Sequence, residues 1–139
     1  MDTKPVLEID GDRFDDLSGF YDAISGILSP GVYWGHNLSA LDDVLRGGFG
    51  TPEGGFVLRW RQASRSRDRL GYPETIRYLE QKLTRCHPTN RALVRQDIEE
   101  ARAGRGQTIF DVLVGILRDH GPGGGEAEDG VELVLEYDA

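Results

Sequence analysis

The sequence predicts an α/β domain in which a three-stranded parallel sheet packs against helices. Short apolar segments with strand character lie near the start, in the middle and at the end of the chain. The segments between them place apolar residues three or four positions apart, which is helical spacing. Because parallel strands need long crossovers, strands separated by helices favour a parallel sheet. The length of 139 residues and the hydrophobic content of 38% suit one core, so we predict a single domain over 1–139.

The first half of the chain is predicted to form two strands and two helices. Residues 5–9 form a short apolar run that ends at an Asp-Gly turn, which is typical of a strand. A helix is predicted over 15–28, from the apolar stripe of Phe14, Leu17, Tyr21, Ile24 and Leu28. Asn37 is the expected N-cap of a shorter helix, whose apolar stripe is Leu38, Leu41 and Leu45. Residues 55–60 predict the second strand.

The second half is predicted to form an arginine-rich helical region and the last strand. Pro73 fits the first turn of one helix, and Thr89 or Asn90 is the expected cap of the next. Thr108 is expected to cap a further helix, which ends at a Gly-Pro pair. After a glycine-rich loop, residues 131–137 alternate as a half-buried strand does, with one face formed by Val131, Leu133, Leu135 and Tyr137.

Charge is unevenly distributed along a chain whose net charge is −8. Residues 1–55 hold 3 basic and 10 acidic residues, and residues 108–139 hold 1 and 8. Residues 56–107 instead hold 12 basic and 6 acidic residues. An acidic protein repels the nucleic-acid backbone, so direct binding to nucleic acid is not expected. Acidic flanks suit a basic partner, because complementary fields accelerate encounter, but solvated charge that only keeps the protein soluble is an equal alternative at this point.

Cysteine use and hydropathy predict a soluble cytoplasmic protein. Cys86 is the single cysteine, which excludes an intramolecular disulfide and a multi-cysteine metal site. The longest nearly apolar stretch, 109–117, is too short to cross a bilayer, so no membrane association is expected. The first residues run into the first strand without an apolar signal region, so secretion is not expected.

Motifs for catalysis and for cofactors are weak in this sequence. Cys86 and His87 are adjacent, but adjacent residues on a helix point about 100° apart, which disfavours a nucleophile–base pair. The glycine-rich stretches follow helices and precede strands, which is the reverse of a phosphate loop. His36 and His120 are far apart in sequence, and His120 is expected at a helix C-terminus. We therefore predict no catalytic residue, no metal ion and no cofactor, and hence a protein that is not an enzyme.

The most informative segment covers residues 33–45. On a helix, its three leucines fall within an arc of about 60°. Asp43 then lies about 165° from that arc and is the most outward residue, whereas Asp42 is closer to the core. Tyr33 and Trp34 precede the helix, and aromatic side chains of this kind anchor protein interfaces. The segment predicts an exposed carboxylate beside aromatic side chains. A single outward carboxylate is usually a solvated surface charge, but the neighbouring aromatic residues shift the balance toward a partner-binding surface.

Segment 33–45, together with the sequence at 58–62, resembles the barstar family of intracellular inhibitors of secreted microbial ribonucleases. The resemblance covers roughly 1–62 and 108–137 and implies a three-stranded parallel sheet with helices. It also implies roles for three residues. Tyr33 and Asp43 match the aromatic and acidic contact positions, and Gly47 matches a backbone contact. In the family, the carboxylate at the Asp43 position enters the nuclease active site and occupies a substrate-phosphate position.

The sequence also departs from the family pattern. Ser39 stands where the family inhibitor has an acid, Asp42 where it has a tryptophan, and His36 where it has a glutamate. Residues 63–107 are expected to be an inserted helical segment that adds no strand to the sheet. The resulting set of expected partner-binding residues is Tyr33, Trp34, His36, Asn37, Ser39, Asp42, Asp43, Arg46 and Gly47.

The resemblance implies an inhibitor, monomeric when free, that blocks the active site of a basic extracellular ribonuclease of the guanyl-specific type. Two alternatives remain open. One is a barstar-fold adaptor or toxin-immunity protein that binds a different partner through the arginines of the insertion, namely Arg65, Arg67, Arg69, Arg77, Arg91, Arg95 and Arg102. The other is an enzyme, for which Cys86, His87 and His120 are scattered candidates.

Overall fold

A computed structural model describes residues 4–28, 37–46 and 54–137. Its sheet has three parallel strands in the order β1–β2–β3, which are Val6–Asp10, Phe56–Arg61 and Val131–Leu135. The register pairs Ile9 with Trp60, and Trp60 with Leu135 on the other side. The predicted three-stranded parallel sheet is therefore confirmed.

Helices connect these strands. In the described parts of the chain they are α1 (Leu17–Leu28), α2 (Leu38–Arg46), α3 (Ala63–Arg69), α4 (Tyr72–Arg85), α5 (Arg91–Arg102) and α6 (Ile109–Asp119). Short 3₁₀ turns cover Gly11–Arg13, Pro88–Asn90 and Ala127–Asp129. Among these helices none combines the length and the apolar character that crossing a bilayer would require.

The main core lies around the indole of Trp60 on the central strand. Trp60 is fully buried, and its ring stacks on Phe20 of α1 with 5.1 Å between the ring centroids. Phe110 of α6 lies 5.2 Å from the same ring. The indole N–H donates to the buried Ser66 hydroxyl at 2.9 Å, so its polar group is satisfied inside the core. The indole of the central strand is therefore contacted by α1, α3 and α6.

Helices α4 and α5 form a hairpin with a small apolar cluster of its own, made of Leu79, Val94, Ile98 and Ala101. Within the described stretch 54–137, the region 63–107 holds helices and no strand, which confirms its predicted helical character.

The first turn of α4 is hydrogen-bonded to the main body of the fold, which is the sheet with α1 and α6. The Glu74 carboxylate accepts the Leu17 N–H at 2.9 Å, and the Thr75 hydroxyl accepts the Ile109 N–H at 2.8 Å.

Helix caps and strand ends follow the sequence with two exceptions. Thr108 and Asp111 form the reciprocal capping box that begins α6. Asn90 does occupy the N-cap of α5, but its side chain makes no cap bond, because α5 continues directly from a 3₁₀ turn. Tyr137 lies beyond the end of β3 and is 40% exposed, so it does not share the buried face predicted for it; its ring lies 5.0 Å from the Arg67 guanidinium.

Candidate partner-binding surface

Helix α2 is oriented by its apolar face and its N-cap. Leu41, Val44 and Leu45 are buried, whereas Leu38 is only half-buried. Val44 thus replaces Leu38 in the buried stripe, which turns the centre of the buried face by about 40° from the predicted direction. The Asn37 side chain accepts the Ala40 N–H at 2.8 Å, so the predicted N-cap is confirmed.

The outward face of α2 consists of Ser39, Asp43 and Arg46, and all three residues are exposed. The Asp43 side chain is 62% exposed. Its carboxylate lies 3.3 Å from Nη1 of Arg46, one turn along the helix. After the 40° turn of the buried face, Ser39 is as outward as Asp43, which corrects the expectation that Asp43 alone is the most outward residue. The surface of α2 therefore presents a hydroxyl, a carboxylate and a guanidinium to solvent.

Asp42 faces the body of the protein, as the sequence predicted. Its Oδ1 lies 2.6 Å from Nε2 of His120, and its Oδ2 lies 3.0 Å from Nη2 of Arg46. The Asp42 side chain is 32% exposed, half the exposure of its neighbour Asp43. Two consecutive carboxylates on α2 thus have different surroundings, one held against the fold and one directed away from it.

His120 is the centre of a buried polar cluster behind α2. It is fully buried at the C-cap of α6, and its Nδ1 lies 2.6 Å from the Asp129 carboxylate. Its Nε2 faces Asp42 and lies 3.3 Å from the Glu126 carboxylate. Burial lowers the pKa of the imidazole, but the hydrogen bonds to Asp129 and Asp42 and the negative charges around it outweigh that effect, so the pKa is raised.

Arg46 closes this cluster on the solvent side. Its guanidinium bonds Glu126 Oε1 through Nη2 at 2.6 Å and through Nε at 2.8 Å. The hydrogen bond to Glu126 raises the pKa of Arg46, against the opposing effect of desolvation. Arg46 and His120 together tie α2 to α6 and to the loop before β3. We refer to Asp42, Arg46, His120, Glu126 and Asp129 as the His120 cluster.

Four of the expected partner-binding residues, Tyr33, Trp34, His36 and Gly47, lie outside the described residues. The other five are all on α2 or at its N-cap: Asn37, Ser39, Asp42, Asp43 and Arg46. Sequence reasoning missed the connection of Asp42 to His120, since 78 positions separate them and no local pattern marks the pair. The acidic loop residues Glu126 and Asp129, which the sequence analysis did not single out, are bonded within this cluster as well.

The residues of the alternative enzyme hypothesis have structural contacts. The Cys86 thiol lies 3.7 Å from the Leu83 carbonyl, and Cys86 packs against the cluster of the hairpin. The His87 ring accepts the Thr89 N–H at 3.2 Å and so caps the short turn before α5. His120 belongs to the His120 cluster. Hence the three side chains belong to different local arrangements.

Most arginines of the alternative acidic-ligand surface are paired within the chain. Arg65 and Arg69 bond Asp12, Arg69 also bonds Asp15, and Arg77 bonds Glu74. Pairs of this kind reduce the positive field that an acidic ligand would meet. Arg102 lies 3.8 Å from Glu80, and Arg67 lies over the Tyr137 ring. Exposed Arg91 and Arg95 on α5 are the best remaining candidates for such a surface.

Comparison with protein families identifies the fold. A family model described as Barstar (barnase inhibitor) matches residues 4–87, which is more than half of the chain. The chain belongs to the barstar family. The matched part contains β1, α1, α2, β2, α3 and α4. Asp43, on α2, therefore lies in the part of the chain that carries the family sequence. No curated protein matches the chain.

The family match extends into the segment 63–107 that was expected to be an insertion. Residues 63–87, which hold α3 and α4, belong to the match, so an insertion that begins at residue 63 is not confirmed. Helices α5 and α6 and strand β3 lie after the matched part. The His120 cluster thus joins α2, from the matched part, to residues 120–129, which come after it.

Proposed function

We propose that this barstar-family chain inhibits a basic extracellular microbial ribonuclease by placing the outward face of α2 in the active site of the enzyme. The observation that supports this most is the exposed Asp43 carboxylate on a helix of the family-matched part. The family is one of ribonuclease inhibitors, and no chemical step is needed for such an activity. A guanyl-specific ribonuclease is the proposed partner.

Asp43 is proposed to take the place of a substrate phosphate. An anionic carboxylate can accept charge-assisted hydrogen bonds from the arginine and histidine side chains that bind phosphate. Its contact with Arg46 within the helix is exposed and 3.3 Å long, so that exchanging it for a partner's cation costs little. Ser39, one turn earlier on the same face, would be a hydrogen-bonding neighbour of the same site.

The other proposed contacts have two different roles. Tyr33 and Trp34 would pack on the partner and exclude water from the Asp43 ion pair, while His36 and Gly47 would contribute polar contacts at the ends of α2. Asn37, Asp42 and Arg46 are bonded within the fold and would hold α2 in position for binding. A position that is fixed before binding lowers the entropic cost of association.

The net charge supports the choice of a basic partner. The chain carries −8, and acidic residues of α2 and of the loop before β3 lie on the same side of the molecule, where Asp42, Glu126 and Arg46 meet. Opposite charges attract at long range and increase the association rate. Barstar and its ribonuclease are themselves a reference system for this effect.

The test is calorimetric titration of the chain and its variants with guanyl-specific ribonucleases. Asp43→Ala is expected to weaken binding by about 2–5 kcal/mol, a range set partly by the barstar–ribonuclease complex itself, because the partner's cations are left buried without a counter-charge. Asp97→Ala is the matched control, since it removes the same charge from an exposed position on α5.

Two results would count against the proposal. Equal losses for Asp43→Ala and Asp97→Ala would show that only net charge matters. Binding that survives Asp43→Ala but is lost in an Arg91→Ala, Arg95→Ala double variant would place the partner on α5, as the adaptor alternative expects. Deleting the whole of 63–107 is a poor test, because it would remove the bonds that Glu74 and Thr75 make to the main body.

A further inference from the structure

We infer that the His120 cluster is a binding site for a divalent cation of the zinc class, held by Asp42, His120 and Glu126. This inference is independent of the proposed ribonuclease partner. One ligand atom of each residue, an imidazole nitrogen or a carboxylate oxygen, lies within 4.8 Å of the other two. The three come from α2, the end of α6 and the loop before β3, so a bound ion would link three separate parts of the fold.

The distances suit a small tetrahedral ion. With metal–ligand bonds of about 2.0–2.1 Å, adjacent ligand atoms around zinc lie about 3.3 Å apart. Nε2 of His120 and Oε2 of Glu126 already lie at 3.3 Å. Oδ1 of Asp42 lies closer to Nε2, at 2.6 Å, and would have to move outward by about 0.7 Å. The Asp42 side chain is 32% exposed, so it has solvent on one side into which it can move.

In Asp42 and in Glu126, one carboxylate oxygen is bonded to Arg46 and the other faces the imidazole of His120. Arg46 holds Oδ2 of Asp42 and Oε1 of Glu126, at 3.0 and 2.6 Å. The remaining oxygens, Oδ1 and Oε2, are the ones that face the imidazole. Arg46 would therefore orient both carboxylates without occupying the atoms that bind the ion.

His120 also has the outer partner that metal-binding histidines use. Its Nδ1 is bonded to Asp129, whose side chain is 16% exposed, and this bond fixes the ring so that Nε2 points at the other two ligands. A carboxylate behind a ligating imidazole is the usual arrangement at zinc sites. On binding, the ion would replace a proton at Nε2, which would leave to solvent.

The charges of the cluster support a dication. Three carboxylates and one guanidinium surround the ring, which leaves two negative charges without a counter-charge when the imidazole is neutral. A divalent ion supplies the two positive charges that balance them. The imidazole ligand favours Zn²⁺ over Mg²⁺ and Ca²⁺, which prefer oxygen ligands alone. A water molecule would be the fourth ligand, since the side chains of Asp42 and Glu126 reach the surface.

The experiment is titration of the full chain, freed of metal by a chelator, with ZnCl₂ at pH 7.5, followed by calorimetry and by thermal melting. One equivalent is expected to bind and to raise the melting temperature, while MgCl₂ does neither. Glu126→Gln is expected to weaken zinc binding at least tenfold, and Asp129→Asn by about 10–100-fold through the orientation of His120. Glu128→Gln changes an exposed neighbour in the same loop and is expected to bind as the unaltered chain does.

Because His120 is fully buried, His120→Gln can impair folding, and the two partly exposed carboxylates provide the decisive variants. Absence of zinc binding by the unaltered chain would overturn the inference and would show that a proton alone satisfies the cluster. Equal zinc affinity in Glu126→Gln and Glu128→Gln, or weak binding of several equivalents, would place the ion elsewhere and overturn it as well. Neither result would bear on ribonuclease inhibition.

Discussion

Glu74 is the residue whose loss should most clearly reveal how α4 is attached to the main body. Its carboxylate is 8% exposed and accepts the Leu17 N–H, the first N–H of α1, at 2.9 Å. It also bonds Arg77 through two hydrogen bonds of 2.7 Å, which raise the pKa of that guanidinium. A carboxylate at a helix N-terminus is stabilised by the helix dipole as well. Asp16 caps the same helix end through the Gly19 N–H, so Glu74 supplies a second, long-range cap.

The cost of Glu74→Ala can be worked out from these contacts. Loss of a charged hydrogen bond that leaves a buried N–H unsatisfied costs about 2–3 kcal/mol. The pair with Arg77 adds little, because the Arg77 side chain is 50% exposed. For 139 residues, an unfolding entropy of about 2.1 cal/mol/K per residue converts this loss into a fall in melting temperature of about 7–10 °C.

The assay is thermal unfolding followed by circular dichroism. Glu74→Gln keeps an acceptor for the Leu17 N–H and is expected to lose about 1 kcal/mol. Glu80→Ala is the matched control on the same helix, where an exposed carboxylate lies 3.8 Å from Arg102 and should contribute less than about 0.5 kcal/mol. If Glu74→Ala and Glu80→Ala melt at the same temperature, the long-range cap does not hold α4 on α1 and the reasoning fails.

Three further predictions concern the orientation of α2, the protonation of His120 and the net charge of the chain. The free energy of unfolding of Asp43→Ala should lie within about 0.5 kcal/mol of that of the unaltered chain. Asp42→Ala should lose about 1–3 kcal/mol of stability, because it leaves buried His120 without that acceptor. Equal shifts in melting temperature for the two variants would contradict the orientation of α2. With a chelator present, the stabilisation that protonated His120 gives the folded state should be fully present below the ordinary histidine pKa of about 6.5. It should be lost as pH rises through the raised pKa of His120. A melting temperature that does not fall over this range would contradict the described environment of the ring. Association with a basic ribonuclease should slow as salt screens attraction beyond about 10 Å at 0.1 M, and a salt-independent rate in stopped-flow experiments would limit the charge of −8 to solubility.

Local sequence patterns predicted the elements of this fold because each is encoded by neighbouring residues. The caps at Asn37 and Thr108 depend on contacts three positions apart, and both capping residues were predicted, although the return bond from the Thr108 N–H to the Asp111 carboxylate was not. The alternation after Gly130 likewise predicted β3, although the strand ends at Leu135 and Tyr137 lies outside the sheet. Order and type of the elements therefore follow from the chain alone.

The candidate site could be predicted only in part, because its remaining contacts are long-range. The outward direction of Asp43 followed from helical periodicity, but the burial of Val44 did not, since it depends on what packs against α2. Asp42 and His120 are 78 positions apart, and Glu74 and Leu17 are 57 apart. Pairs of this kind carry no local signal, since an acidic residue on a helix is more often solvated than bonded to the fold.

If Asp43 occupies the phosphate position of a ribonuclease active site, a nucleotide bound there must compete with the chain for the enzyme. Fluorescence titration of the chain against a guanyl-specific ribonuclease is repeated with increasing guanosine monophosphate, which carries the phosphate that Asp43 would replace. Mutual exclusion is expected, so that the apparent Kd of the chain rises linearly with the nucleotide concentration. A ternary complex in which the nucleotide leaves the Kd of the chain unchanged would contradict it.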